Sequence, residues 1–301
     1  MCDARYIGAM SVRRTVIALC LAASTLVATA SVVPSQAASV EQEGRAALRY
    51  VALGDSYSAG SGVVPVDVTS PMCLRSTRNY PHVIAELIDA RLTDVTCGGA
   101  DTTHYRTEQY PGVAPQLKAL SRTTQLVTMT IGGNDSGVFI SSILQCGTLG
   151  IASAGRGSPC RDTYGNSFVR TVRRTTAPDI EKALRAVHRK APRATVAILG
   201  YPRILPPKRG CFPQMPVARG DVPYLFKLQR VLNKAVRRAA DATDSVYVDV
   251  PRASRGHDAC QVRGRRWVEP VALGTNPVIV HPNARGEAAM ARLTIRKLDL
   301  S

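Results

Sequence analysis

Four short apolar runs, at 50–53, 126–131, 195–199 and 246–250, recur along the chain with helical patterns between them. Runs of that length bounded by turn residues read as strands buried on both faces. Residues 80–91 carry Val83, Ile84, Leu87 and Ile88 on one helical face, and 179–189 carry Ile180, Leu184 and Val187 just after Pro178. Residues 223–240 repeat the pattern with Leu225, Leu228, Val231, Leu232 and Val236, Asp221 being placed to cap them, and 283–297 read as a last helix. Strands alternating with helices predict an α/β fold whose parallel sheet is covered on both faces. The stretches 73–97, 137–160 and 202–211 are rich in Gly, Pro, Thr and Ser and read as loops with little regular structure.

One domain is expected over 39–301, because residues 1–38 have a different character. Arg13 and Arg14 precede the apolar segment 15–23, and small residues follow to Ala37 and Ala38. A basic start, an apolar middle and small residues at the end are the pattern of a secretory signal, with Met10 an alternative start. The apolar run is too short to span a bilayer comfortably. Of the eight cysteines, Cys2 and Cys20 would leave with that signal. Cys73, Cys97, Cys146, Cys160, Cys211 and Cys260 remain, and an even number in an oxidising compartment implies disulfides. Six cysteines allow about 15 pairings; the simplest joins neighbours in order, Cys73–Cys97, Cys146–Cys160 and Cys211–Cys260. No Cys-x-x-Cys pair or His cluster suggests a metal.

The formal charge of +17 becomes about +15 once Arg5, Arg13, Arg14 and Asp3 leave with the signal. Basic residues such as Arg170, Arg173, Arg174, Arg185, Arg189 and Lys190 are scattered, and four Phe and one Trp offer little surface for base stacking. Nucleic acid is therefore not the expected partner. Transient attraction to anionic lipid or cell wall fits a basic exported protein, which is read as a monomer.

Polar side chains at the ends of the apolar runs carry the chemistry. Val51-Ala52-Leu53 ends in Gly54-Asp55-Ser56, which places a serine at the carboxyl end of a strand, where open α/β sheets hold their sites. The run from Leu126 ends in Gly132-Gly133-Asn134-Asp135, and Asn134 can donate to a developing oxyanion. Val95-Thr96-Cys97 leads into Gly98-Gly99, whose amides a substrate can approach closely. His281, before the last helix, is the base a serine nucleophile needs. Each feature alone is an ordinary turn or a surface histidine; their joint order is what carries the reading. His82, His104 and His257 read as structural, and Asp55 and Asp135 as braces of their turns.

These four blocks, taken in order over about residues 48 to 298, resemble the SGNH hydrolases, also called GDSL esterases and lipases. The six cysteines and Gly256-His257-Asp258-Ala259-Cys260 are most similar to the secreted actinobacterial lipases and phospholipases. The resemblance implies a three-layer α/β/α, flavodoxin-like sheet. It implies Ser56 as nucleophile, His281 as base, and an oxyanion hole from the Ser56 amide, a glycine amide and Asn134. Gly99 is preferred to Gly98, because the family's glycine precedes a small residue and then Asp or Thr.

One position departs from the family pattern. The Asp usual three residues before the histidine is replaced by Val278, which cannot hold an imidazole through its side chain. The Val278 backbone carbonyl is expected to substitute, with Glu269 or Asp258 reaching in as the alternatives. The function expected is hydrolysis of carboxylic esters, lipid-derived by resemblance, without cofactor. The rivals are a carbohydrate acetylesterase with the same machinery and a non-catalytic basic protein that binds cell wall or lipid.

Overall fold

The computed structural model describes residues 47–300; the expected signal at 1–38 lies outside them. Its centre is a five-stranded parallel sheet of β1 (Arg49–Ala52), β2 (Arg91–Asp94), β3 (Leu126–Met129), β4 (Thr195–Leu199) and β5 (Val246–Val248), in the order β2-β1-β3-β4-β5. Val51 lies opposite Thr93 on one side and Val127 on the other. The helices are α1 (Ser56–Ala59), α2 (Tyr80–Leu87), α3 (Val138–Ala152), α4 (Pro159–Tyr164), α5 (Ser167–Thr171), α6 (Ala177–Lys190), α7 (Val222–Asp241), α8 (Val250–Ala253) and α9 (Ala284–Leu298). Because strand side chains alternate in direction, the apolar runs feed two cores. Val51, Val127, Met129, Val196 and Ile198 pack with Ile180 and Leu184 of α6 and with Leu228 and Leu232 of α7. Tyr50, Ala52, Leu126, Ala197, Leu199 and Val248 pack with Ile84 of α2 and with Met290 and Ala291 of α9. This is the three-layer α/β/α arrangement expected.

Several elements differ from the sequence expectation, each for a physical reason. The helix expected over 80–91 stops at Leu87, and Arg91–Asp94 form β2. That strand is an edge, with every second residue exposed, so it lacks the apolar run by which the others are recognised. The expected loop at 137–160 holds the fifteen-residue helix α3. Its Gly147 and Gly150 lower helix propensity but permit close packing on Pro216: a Cβ on Gly150 would lie 2.2 Å from the Pro216 carbonyl oxygen. Asp221 does not cap α7 with its side chain; its carboxylate accepts from the Cys160 and Arg161 amides at the start of α4, each at 2.9 Å.

The cysteines are joined in order, Cys73 to Cys97, Cys146 to Cys160 and Cys211 to Cys260. No helix among the described residues is long and apolar enough to cross a membrane, and none of their His, Cys, Asp and Glu side chains cluster as a metal site would need.

Candidate active site

Strand order reverses between β1 and β3, and a crevice at such a point lies outside the carboxyl ends of the strands. Ser56 follows β1 there, and Asn134 follows β3. The turn after β1 requires Gly54: its φ is +123°, and a Cβ would lie 2.4 Å from the Thr130 carbonyl oxygen. Gln116 holds this turn from both sides, its Oε1 accepting from the Gly54 amide at 2.7 Å and its Nε2 donating to the Gly54 carbonyl at 3.0 Å. Asp55 caps α1 by accepting from the Tyr57 amide. Its carboxylate also accepts from the Thr130 hydroxyl at 2.6 Å and from the Tyr201 hydroxyl. Burial pushes the Asp55 pKa up to about 6, against the lowering effect of these donors.

Ser56 and His281, 225 residues apart, meet in this crevice with His281 Nε2 2.7 Å from Ser56 Oγ. Both are only 9% exposed. The other ring nitrogen, Nδ1, lies 2.7 Å from the carbonyl oxygen of Ile279. A carbonyl only accepts, so Nδ1 carries the proton and Nε2 is free to accept from the serine hydroxyl. Burial lowers the His281 pKa, opposed by this backbone bond, so the ring is a neutral base at neutral pH.

The carbonyl at His281 is therefore that of Ile279, and the expectation placed on Val278 is corrected. Val278 sits in a preceding turn, its amide bonded to Asn276 Oδ1 at 2.8 Å. Val280 then adopts φ +60°, which folds the chain back so that the carbonyl two residues before the histidine faces the ring. Neither alternative acid touches the ring. Glu269 is engaged by Arg266, Thr275 and Asn283, and Asp258 by the Cys260 amide and Gln261.

Asn134 lines the same crevice. Its Nδ2 donates to the Ala100 carbonyl at 2.9 Å, which anchors the amide and leaves a second N–H. The Gly98 amide is spent on the Cys73 carbonyl at 2.7 Å. Gly99 is exposed with φ +78°, and its N–H has no partner among the described residues. The amide of Ser56, at the first position of α1, also has none there.

Sequence reasoning missed two tyrosines. The Tyr57 hydroxyl donates to the Val280 carbonyl at 2.6 Å, and its ring lies 5.1 Å from the His281 ring. Tyr201 accepts from the Gly133 amide at 2.8 Å while donating to Asp55, which joins the β1, β3 and β4 turns. Gly200-Tyr201 at the end of β4 was a readable signal, being one more polar group after a strand. The remaining groups read as braces are engaged elsewhere. Asp135 holds Thr102, with its pKa raised to about 6 by burial. His82 bonds Asn79, His104 accepts from the Asp101 amide, and His257 bonds the Arg265 carbonyl while stacking on Trp267.

A serine bonded to a histidine at the switch point of a three-layer parallel sheet is the arrangement that the SGNH resemblance implied, and the family is shown by comparison. The chain belongs to the GDSL-like Lipase/Acylhydrolase family of carboxylic ester hydrolases, whose model matches residues 52–289. It is 52% identical to Lipase 2 of Streptomyces coelicolor over 297 residues, covering 96% of this chain and 98% of that one. Among solved structures, phospholipase A1 from Streptomyces albidoflavus is 29% identical with a TM-score of 0.70, covering 84% of this chain and 100% of that one. The extracellular lipase of Streptomyces rimosus is 27% identical with a TM-score of 0.69, covering 84% of this chain and 99% of that one.

Proposed function

We propose that this chain is an exported lipase or esterase that cleaves esters of apolar acyl groups through an acyl-enzyme on Ser56. The observation that carries the reading is the 2.7 Å contact between Ser56 Oγ and His281 Nε2 in a crevice walled by Phe139, Ile140 and Ile143 of α3. His281 Nε2 takes the hydroxyl proton as Ser56 Oγ attacks the acyl carbon. The Ile279 carbonyl holds Nδ1–H throughout and supplies the stabilisation that a carboxylate would otherwise give the imidazolium. The oxyanion accepts from the Ser56 amide, the Gly99 amide and the second N–H of Asn134. The imidazolium then protonates the leaving alkoxide, and water repeats the sequence on the acyl-enzyme.

An apolar wall beside the serine supports a lipid-derived acyl group over a sugar acetate, as do the lipase and phospholipase names of the relatives. Export is supported by the signal pattern at 1–38, by the three disulfides and by the extracellular description of the S. rimosus lipase. The test is a panel of p-nitrophenyl esters of rising chain length, run beside triglyceride, phospholipid and acetylated xylan. Turnover that persists to medium or long chains is expected; cleavage of acetylated xylan alone would replace this reading with the acetylesterase. A fluorophosphonate probe should label the protein and fail to label Ser56→Ala. Absence of labelling in the folded protein would favour a non-catalytic binder.

A further inference from the structure

Seven of the eleven large apolar side chains that stand exposed among the described residues lie on two connections. The one between α1 and α2 carries Val64, Val66, Val68, Met72 and Leu74, and the one between α8 and α9 carries Val262 and Leu273. Val68, Leu273, Val262 and Val64 are 86, 85, 74 and 68% exposed, so these side chains have little protein to rest on. Exposed apolar groups concentrated on two connections point to an interaction surface more than the same groups scattered singly over the molecule would. The first connection is braced, so it cannot simply fold its apolar groups inward. Cys73 is bonded to Cys97, Arg75 Nη2 lies 2.7 Å from Asp67 Oδ2, and Val66 and Ser76 form a β-bridge.

Both connections border one cavity of about 520 Å³. Val64 and Arg78 line it from the first, Arg263 from the second, and Arg285 from the start of α9. The three guanidinium groups are exposed and have no ion-pair or hydrogen-bond partner among the described residues. Glu269, the carboxylate in the wall, is already neutralised by Arg266 at 2.6 Å and held by Thr275 and Asn283. Val64 lines this cavity, Val262 is the chain neighbour of Arg263, and the Leu273 carbonyl accepts from Arg266, the partner of Glu269. Exposed apolar groups beside three unpaired arginines on a strongly basic chain complement a surface that is apolar within and anionic at its edge.

We propose that this face docks the enzyme on anionic phospholipid bilayers. The apolar side chains enter the boundary between headgroups and acyl chains, while Arg78, Arg263 and Arg285 bind phosphate oxygens. A soluble polyanion would use the arginines and leave the apolar groups in water, so the combination selects a membrane. The docked face is also tied to the reacting groups. Asn276 Nδ2 donates to the Ser61 carbonyl and to the Pro282 carbonyl, and the Ser61 amide bonds the Ser56 carbonyl.

The proposal goes beyond the ester-cleaving reading and is tested without turnover, so the failure of either is separately visible. The full chain is sedimented with vesicles of phosphatidylcholine alone and with vesicles containing phosphatidylglycerol. Binding to the anionic vesicles, weakening with salt, is expected. Arg78→Ala/Arg263→Ala/Arg285→Ala should weaken it on the order of 100-fold at low salt, and Val64→Ser/Leu273→Ser by at least about tenfold. All five positions are exposed, so thermal unfolding should change little; should a combined variant lose its transition, Arg263→Ala and Leu273→Ser are read singly. Unchanged anionic-vesicle binding in both variants would overturn the proposal. So would an unsubstituted protein that binds polyphosphate but not vesicles.

Discussion

Val280 adopts φ +60° immediately before His281, a conformation that costs a β-branched residue about 1–3 kcal/mol. The Tyr57 hydroxyl, 2.6 Å from the Val280 carbonyl oxygen, holds it there. Tyr57 is thus a positioning residue: it fixes the segment that presents Ile279 O to one face of the imidazole. Tyr57→Phe should lose about 1–2 kcal/mol of stability in chemical denaturation. It should also lower kcat about tenfold with little change in KM for a soluble ester; an unchanged kcat would show that the turn holds without it. Asn134→Ala should cost about 10²–10³ in kcat while the protein stays folded, read on the same ester. The lowered pKa of His281 gives a pH prediction. The base works when neutral, so kcat/KM should rise with pH along an acid limb centred below the ordinary histidine value. An acid limb centred above pH 6.5 would contradict the burial argument.

Helices α2 and α9, which follow the Ser56 and His281 segments, pack on the same face of the sheet, and a buried carboxyl sits between them. Glu287 of α9 accepts from the Tyr80 amide at the start of α2 at 2.7 Å, and burial raises its pKa well above the usual carboxylate range. A raised pKa means the folded state holds the proton more tightly, so this contribution to stability is present at low pH and is lost as pH rises through the folded value. Asp55 and Asp135, raised to about 6, add similar slopes that are complete by about pH 7. The Glu287 contribution is lost at a pH above the usual carboxylate range, in the direction its burial sets. Glu287→Gln should therefore flatten the fall of the unfolding midpoint as pH rises above the usual carboxylate range; an equal slope in the variant would place the ionisation elsewhere. Elements with strong periodicity, such as α6, α7 and α9, were legible within a residue or two. The helix α3 was not, because its residues are apolar or small on every side and its glycines are explained only by Pro216 packing against them.

At the scale of the molecule, the Cys211–Cys260 disulfide closes a 49-residue span that joins the connection after β4 to the one before α9. By the loop-entropy argument, Cys211→Ala/Cys260→Ala should lose about 4 kcal/mol, measured as a lowered denaturant midpoint. A loss well under 1 kcal/mol would mean that the α8–α9 connection is held by its other contacts. Strand ends and the glycine turns that follow them are local matters of burial period and allowed φ. The sequence by itself therefore determined the α/β class, the turns bearing Ser56, Gly99 and Asn134, and the helix that follows His281. It also showed that the usual Asp is missing at Val278. Which group replaces that Asp was decided only by the tertiary structure. The choice of Ile279 over Val278 depends on the backbone of Val280, held by a tyrosine 223 residues away. No pattern along the chain encodes a contact that exists only once the sheet has brought its two ends together.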